Sequence, residues 1–253
     1  MRHRGLASLA VVAAGIAALQ VACETGAIKS TILIAPSDMA ASLWDILQSG
    51  TFNHAIALTL GEVAIAAVIA IVLGFSLGVL IHASEFLRRG IEPYLVSYYA
   101  VPTIIFYPVF IVLLGVGSAP IIAIAVLLAS VAMITATVTG LDRVPRALTR
   151  TARVLRLSPL QRALLIQLPA AAPYLFTGAR LVVAYAFIGV IASEFILSAD
   201  GMGYAIAYAY NNFDNRTMYG LMLLIIIVVA VVNTSLDLLD RRLQSRLQSG
   251  RGR

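Results

Sequence analysis

The chain has 253 residues, of which 60% are hydrophobic and only 12% charged. Soluble domains carry about 25% charged residues, so this balance excludes an ordinary soluble fold. The formal charge is +6, but the bases flank apolar runs and no aromatics interleave with them, which argues for membrane topology and against nucleic acid as a partner.

The one cysteine, Cys23, excludes an internal disulfide framework. His3, His54 and His82 are scattered without metal-ligand spacing, so no metal or other cofactor is expected.

In chain order, basic residues 1–4 precede an apolar run over 6–22. This run is a first membrane span or a signal peptide, and its length, close to the ~20 residues a bilayer needs, favours the span. Residues 24–54 read as an outer loop containing a helix over 38–48, with Trp44 at the membrane interface. A second span covers 55–81. It contains Glu62 and the pair Gly74/Gly78, whose spacing lets another helix approach closely, either within the chain or in a second copy. Residues 82–92 form a short inner loop with Arg88 and Arg89. The third span, 93–114, is interrupted by Pro102 and Pro108, so a broken helix is expected there. Such breaks at membrane depth face protein or a water-filled path. This makes Tyr98, Tyr99, Pro102 and Tyr107 candidates for a pathway wall, with internal packing of a kink as the alternative. Residues 115–119 are an outer turn and 120–140 a fourth span.

The next stretch, 141–169, is too long and too regular for a connector. It holds Arg143, Arg146, Arg150, Arg153, Arg156 and Arg162 against one acid, Asp142. Two short helices fit it, a bent pair that is either a positive-inside anchor with no partner or a docking element for another protein. The first starts after Val144, with Pro145 at its first position. The second is marked by Ser158 as N-cap, Pro159 behind it, and Gln161 three residues after the serine, the spacing of a capping box. Pro169 and Pro173 mark an exit into a fifth span over 174–197, which carries Arg180 and Glu194. An outer loop with a short helix follows over 198–216, then a sixth span over 218–236 and a polar, basic tail.

Six spans place Arg2, Arg4, Arg88, Arg89, the six loop arginines, Arg241, Arg242, Arg246, Arg251 and Arg253 on one side, fifteen of the eighteen basic residues. By the positive-inside rule that side is cytoplasmic, with both termini there. The fold class expected is all-α and polytopic, with six transmembrane helices and a cytoplasmic helical loop. Its regions are 1–54 (first span, outer loop and interfacial helix), 55–240 (five spans and the 141–169 loop) and 241–253 (basic tail).

The loop resembles the cytoplasmic "EAA" loop of ATP-binding cassette importer permeases: Glu-Ala-Ala, three residues, Gly, nine residues, Ile, one residue, Leu-Pro. Ile166, Leu168 and Pro169 match its end. Arg156 stands at the glycine, and Arg150, Thr151 and Ala152 stand at Glu-Ala-Ala, so the acid has become a base. The flanks are similar to the nitrate, sulfonate, taurine and bicarbonate branch: Thr59-Leu60-Gly61, Gly74 and Gly78, Glu92-Pro93, Val101-Pro102, Gly115-Val116-Gly117, and Asp200-Gly201-Met202-Gly203-Tyr204. The likeness covers about residues 35–240.

The resemblance implies an importer permease working as two copies in the bacterial inner membrane. Each copy docks on a cytoplasmic ATPase subunit, and a periplasmic binding protein delivers the solute. The docking tip is expected at Leu155, Leu157, Ser158, Pro159 and Leu160. The solute expected from the branch is a small organic or inorganic anion such as a sulfonate or nitrate.

The chain has no Gly-x-x-x-x-Gly-Lys-Ser/Thr loop around its single lysine, Lys29, and no Ser-His-acid or Cys-His set, so ATP hydrolysis is expected on the partner. Ionisable residues within spans raise a functional reading by default. Glu62 and Glu194 are pathway candidates, with polar contact to a neighbouring helix as the stronger alternative for each and for Arg180. Two rivals remain open. An ion-gradient transporter would show inverted repeats and a midplane ion site, and neither is visible. A non-transporting assembly subunit would lack solute-stimulated ATP turnover.

Overall fold

A computed structural model describes residues 2–98 and 101–249; at 2–9, 96, 153 and 239–249 only the backbone is described. Every described element is helical. In chain order these are α1 (Arg2–Glu24), α2 (Pro36–Ser49), α3 (Asn53–Ala83), α4 (Glu85–Tyr98), a 3-10 turn (Thr103–Phe106), α5 (Tyr107–Leu114), α6 (Ser118–Asp142), α7 (Arg146–Val154), α8 (Pro159–Arg162), a π turn (Ala163–Gln167), α9 (Leu168–Leu197), α10 (Met202–Asn211) and α11 (Asn215–Ser249).

Among the described residues, four helical segments are long and apolar enough to cross a membrane: Asn53–Ala83, Ser118–Asp142, Pro159–Leu197 and Asn215–Leu238. A further apolar helix, Thr103–Leu114, is shorter, and Ala10–Glu24 is the apolar part of α1 whose side chains are described. By length and hydropathy the described residues thus hold four such segments, which does not confirm the expected six; in the third span the reason is local. The segment around Pro102 is broken as the prolines require: Pro102 caps the 3-10 turn and Pro108 sits in the first turn of α5, where its missing N–H loses nothing. No single piece there reaches membrane length.

The exit at Pro169 and Pro173 also differs from expectation. The helix runs without interruption through both prolines into α9. Pro169 cannot donate to the carbonyl four residues back, and the π turn directly before it widens the helix where the normal ladder would fail. Thr177 Oγ1 donates to the Pro173 carbonyl at 3.0 Å. The polar tail is a continuation of α11 as far as Ser249.

The chain divides into two compact units. One is the chain through Thr59 together with Glu194–Val228. Here the amphipathic α2 leaves Trp44 exposed and buries Ser42 and Ile46. Ile46 joins Ile206, Ala209, Met218 and Leu221 in one cluster. Ser42 Oγ donates to the Arg216 carbonyl at 2.7 Å. Gly220 allows the approach, since a Cβ there would lie 2.5 Å from Ser42 Oγ.

The second unit is Leu60–Ser193 with the chain from Val229 onward. Its centre is α6, whose Ile121, Ile124, Ala125, Ala129 and Thr137 are all buried. Small residues bring neighbours onto it. A Cβ on Gly74 would sit 2.6 Å from Met133 Cβ, and one on Gly78 2.6 Å from Thr137 Cβ. The glycine pair therefore serves packing of α3 on α6 within the chain. Gly178 and Gly189 of α9 meet Ala136 and Ala125 in the same way. Close backbone contact of this kind is what holds helices together where lipid gives no hydrophobic drive.

Candidate functional site

The loop between α6 and α9 begins at an electrostatic knot. Asp142, the last residue of α6, accepts from Arg88 Nη1 at 3.0 Å and Nη2 at 2.6 Å. His82 Nδ1 lies 3.0 Å from the same carboxylate. The hydrogen bonds from Arg88 and the charge of Asp142 raise the Arg88 pKa further above its ordinary value. The loop's single acid is thus already occupied. Arg143 stands 5.5 Å over the Tyr174 ring, fixing the start of the loop against the start of α9.

Helix α7 follows, with the Pro145 carbonyl accepting from Leu148 and Thr149 N–H. Its end is a Schellman turn: Leu157 N–H donates to the Ala152 carbonyl at 3.1 Å, with Arg156 left-handed at φ 52. The resemblance aligns Arg156 with the family's glycine, and the backbone there has the conformation glycine favours. Ala152 is 1% exposed, so this position tolerates no larger side chain without rearrangement.

The second helix starts as its sequence demands. Ser158 Oγ accepts from Gln161 N–H at 3.2 Å, and Gln161 Oε1 accepts from Ser158 N–H at 2.9 Å. The full capping box compensates for the shortness of α8, because both orphan donors are satisfied within four residues.

The tip formed by these two helices presents apolar side chains. Val154, Leu155 and Leu160 are 82%, 62% and 68% exposed. Leu157 is half-buried under the turn, while Ser158 and Pro159 are exposed. Arg150, Thr151 and Arg156 are exposed, and Ile166 and Leu168 are half-buried in and after the π turn, with Pro169 exposed. The twelve loop residues singled out in the sequence thus lie along one contiguous helix–turn–helix.

The other candidates are dispersed over several elements. Tyr98 is half-buried and donates through its hydroxyl to the Leu127 carbonyl at 3.4 Å. Tyr99 lies outside the described residues. Pro102 is exposed, Tyr107 is buried, and Glu62 is buried on α3. Arg180 pairs with Asp237 of α11 at 2.8 Å.

Glu194 is 1% exposed. Its carboxylate accepts from Thr59 Oγ1 at 2.7 Å and from Gly203 N–H at 2.8 Å. Thr59 Oγ1 in turn accepts from Met202 N–H at 2.8 Å. The first N–H groups of α10, which have no partner within their own helix, are held by a threonine and a glutamate from two other helices. Gly201, at φ 96, passes so close that a Cβ would lie 2.4 Å from the carboxylate carbon. Sequence reasoning misses this clamp. Thr59 and the 200–204 turn are both distinctive, yet nothing in either segment says that they meet. It also misses the Asp142 knot and the π turn; a proline continuing a helix at 169 is the available signal for the latter.

Residues 70–249 match the family described as "Binding-protein-dependent transport system inner membrane component". The chain is 29% identical over 221 residues to the nitrate import permease protein NrtB of Leptolyngbya laminosa, covering 84% of this chain and 78% of that one. With the Synechococcus elongatus protein of the same name it shares 30% identity over 182 residues, covering 72% of this chain and 65% of the relative. Its fold superposes on a chain of the methionine ABC transporter MetNI, in inward-facing conformations, with a TM-score of 0.69 at 20% identity, covering 77% of this chain and 97% of that one.

Proposed function

We propose how this chain, which belongs to the family of binding-protein-dependent transport system inner membrane components, takes its part in import. It is the permease subunit of an ATP-binding cassette importer. Six segments cross the membrane: the four long helices, α1, and the broken stretch over 93–114. Both termini face the cytoplasm, which is the arrangement the distribution of basic residues favours. Two copies form the pathway, each seated on a separate ATPase, and a periplasmic binding protein supplies the solute.

The observation that carries the docking role is the exposed apolar tip on a doubly locked turn. A Schellman bond and a capping box hold Leu155, Leu157 and Leu160 on a short stiff element. Stiffness is what a lever needs: closure of the ATPases on nucleotide displaces the loop as a body, and α6 and α9, which are continuous with it, rock with it. Access then alternates as the two copies move between discrete states. The solute is a small oxyanion such as nitrate, on the strength of the relatives' names. Tyr98, Tyr99, Pro102, Tyr107, Glu62 and Glu194 stay the candidates for groups along or beside its path.

Leu157→Asp and Leu160→Asp place a charge on the tip. Both are expected to abolish co-purification of the ATPase while leaving membrane insertion intact; undiminished co-purification would refute docking at the tip. The solute is checked separately, by ATP-dependent uptake of nitrate, bicarbonate and a sulfonate into proteoliposomes that contain the binding protein.

A further inference from the structure

Two sets of arginines among the described residues are treated oppositely by the fold. Arg88 pairs with Asp142 and Glu92, Arg89 with Glu85, Arg180 with Asp237 and Arg216 with Asp45. Arg146, Arg150 and Arg156 are exposed and, among the described residues, have no carboxylate partner. These three lie within eleven consecutive residues, and the chain from Arg143 to Pro169 contains no acid at all. Arg146 and Arg150 are four apart on α7, so their charges share a face and repel. Arg156 is fixed in the left-handed region by the Schellman turn, next to Leu155. The exposed Val154, Leu155 and Leu160 thus share a short stretch of chain with three arginines that have no carboxylate partner among the described residues.

We infer that the ATPase groove receiving this tip is an apolar slot rimmed by carboxylates, which pair with Arg146, Arg150 and Arg156. This rests on the docking reading above and adds the chemistry of the partner's surface. Apolar contacts at the centre hold the complex. The charged rim sets the rate of encounter and rejects ATPases whose grooves are basic. Exposed pairs are individually weak and screened by salt, so the arginines act together and their effect fades as ionic strength rises.

The test uses the full-length permease in nanodiscs and its cognate ATPase, with association measured from about 50 to about 500 mM salt, a range over which screening of exposed pairs changes strongly. Arg150→Glu is expected to weaken association about fivefold at low salt, and the triple reversal of Arg146, Arg150 and Arg156 to Glu about a hundredfold. Arg150→Lys keeps the charge and should stay within about twofold of the parent. Reversing the groove carboxylates of the ATPase to Lys should restore binding to the triple variant, a rescue that no loss of folding would produce. If the triple reversal leaves association unchanged while Leu160→Asp abolishes it, docking stands and the acidic rim is overturned. The rim is overturned equally if the reversals reduce only the binding of vesicles containing anionic lipid, since the arginines would then serve headgroups. If neither the reversals nor Leu160→Asp matters, both readings fall.

Discussion

The turn at 200–203 and the turn at 155–158 treat their polar groups in opposite ways. At the 200–203 turn the polar groups are consumed internally: Glu194 and Thr59 take the N–H groups of Met202 and Gly203, and Gly201 leaves room for the carboxylate and nothing else. At the 155–158 turn the backbone is equally well bonded, yet the exposed side chains around it are largely apolar or cationic. A buried clamp is built for permanence, since each of its members is costly to remove. An exposed tip with satisfied backbone and unsatisfied side chains leaves apolar and cationic groups free, which is what the proposed docking on the ATPase uses.

Substitutions sharpen this contrast, the largest effect first. Glu194→Ala strips the acceptor from the Thr59 hydroxyl and the Gly203 N–H inside a site with no room for compensation. It is expected to cost about 3 kcal/mol, read as a fall in the detergent-solubilised melting transition; a change below about 0.5 kcal/mol would show that the clamp is dispensable.

Gly78→Leu forces α3 off α6, where even a Cβ would meet Thr137 at 2.6 Å. A loss of about 2 kcal/mol is expected, with the same transition as readout, and helix-to-helix crosslinking yields should drop with it.

Ser158→Ala removes half of the capping box. The expected cost is about 1 kcal/mol and local to α8. Faster hydrogen exchange at Gln161 and lower coupling of ATP turnover to transport, with little change in global stability, are the signatures.

Arg156→Gly has the smallest effect and the opposite sign. Relief of the left-handed backbone is worth about 1 kcal/mol, and the greater freedom of glycine in the unfolded chain takes back about half of that. A slight gain in stability together with weaker ATPase association would separate the turn's backbone from its charge; a loss of stability would mean that the Arg156 side chain holds the turn.

Much of the loop was legible because its signals are local. Ser158, Pro159 and Gln161 specify a helix start within four residues, and the structure has that start with both hydrogen bonds of the box. Pro102 and Pro108 likewise announce the break in the third span. The π turn was not legible, because Pro169 says only that the helix ladder fails there and not whether the chain ends or widens. The left-handed state of Arg156 could be reached only through the family's glycine, since an arginine by itself argues against it.

The sequence alone determined that this is a helical membrane protein with an arginine-rich loop between apolar spans, because hydropathy, capping and proline chemistry act over a few residues. Tertiary structure alone decided which polar groups are spent and which face outward. Thr59 meets Glu194 across 135 positions and Arg88 meets Asp142 across 54. Such pairings depend on how helices pack. Their consequence, a loop left with its positive charge uncompensated, emerges only once the acids around it have been assigned to their partners.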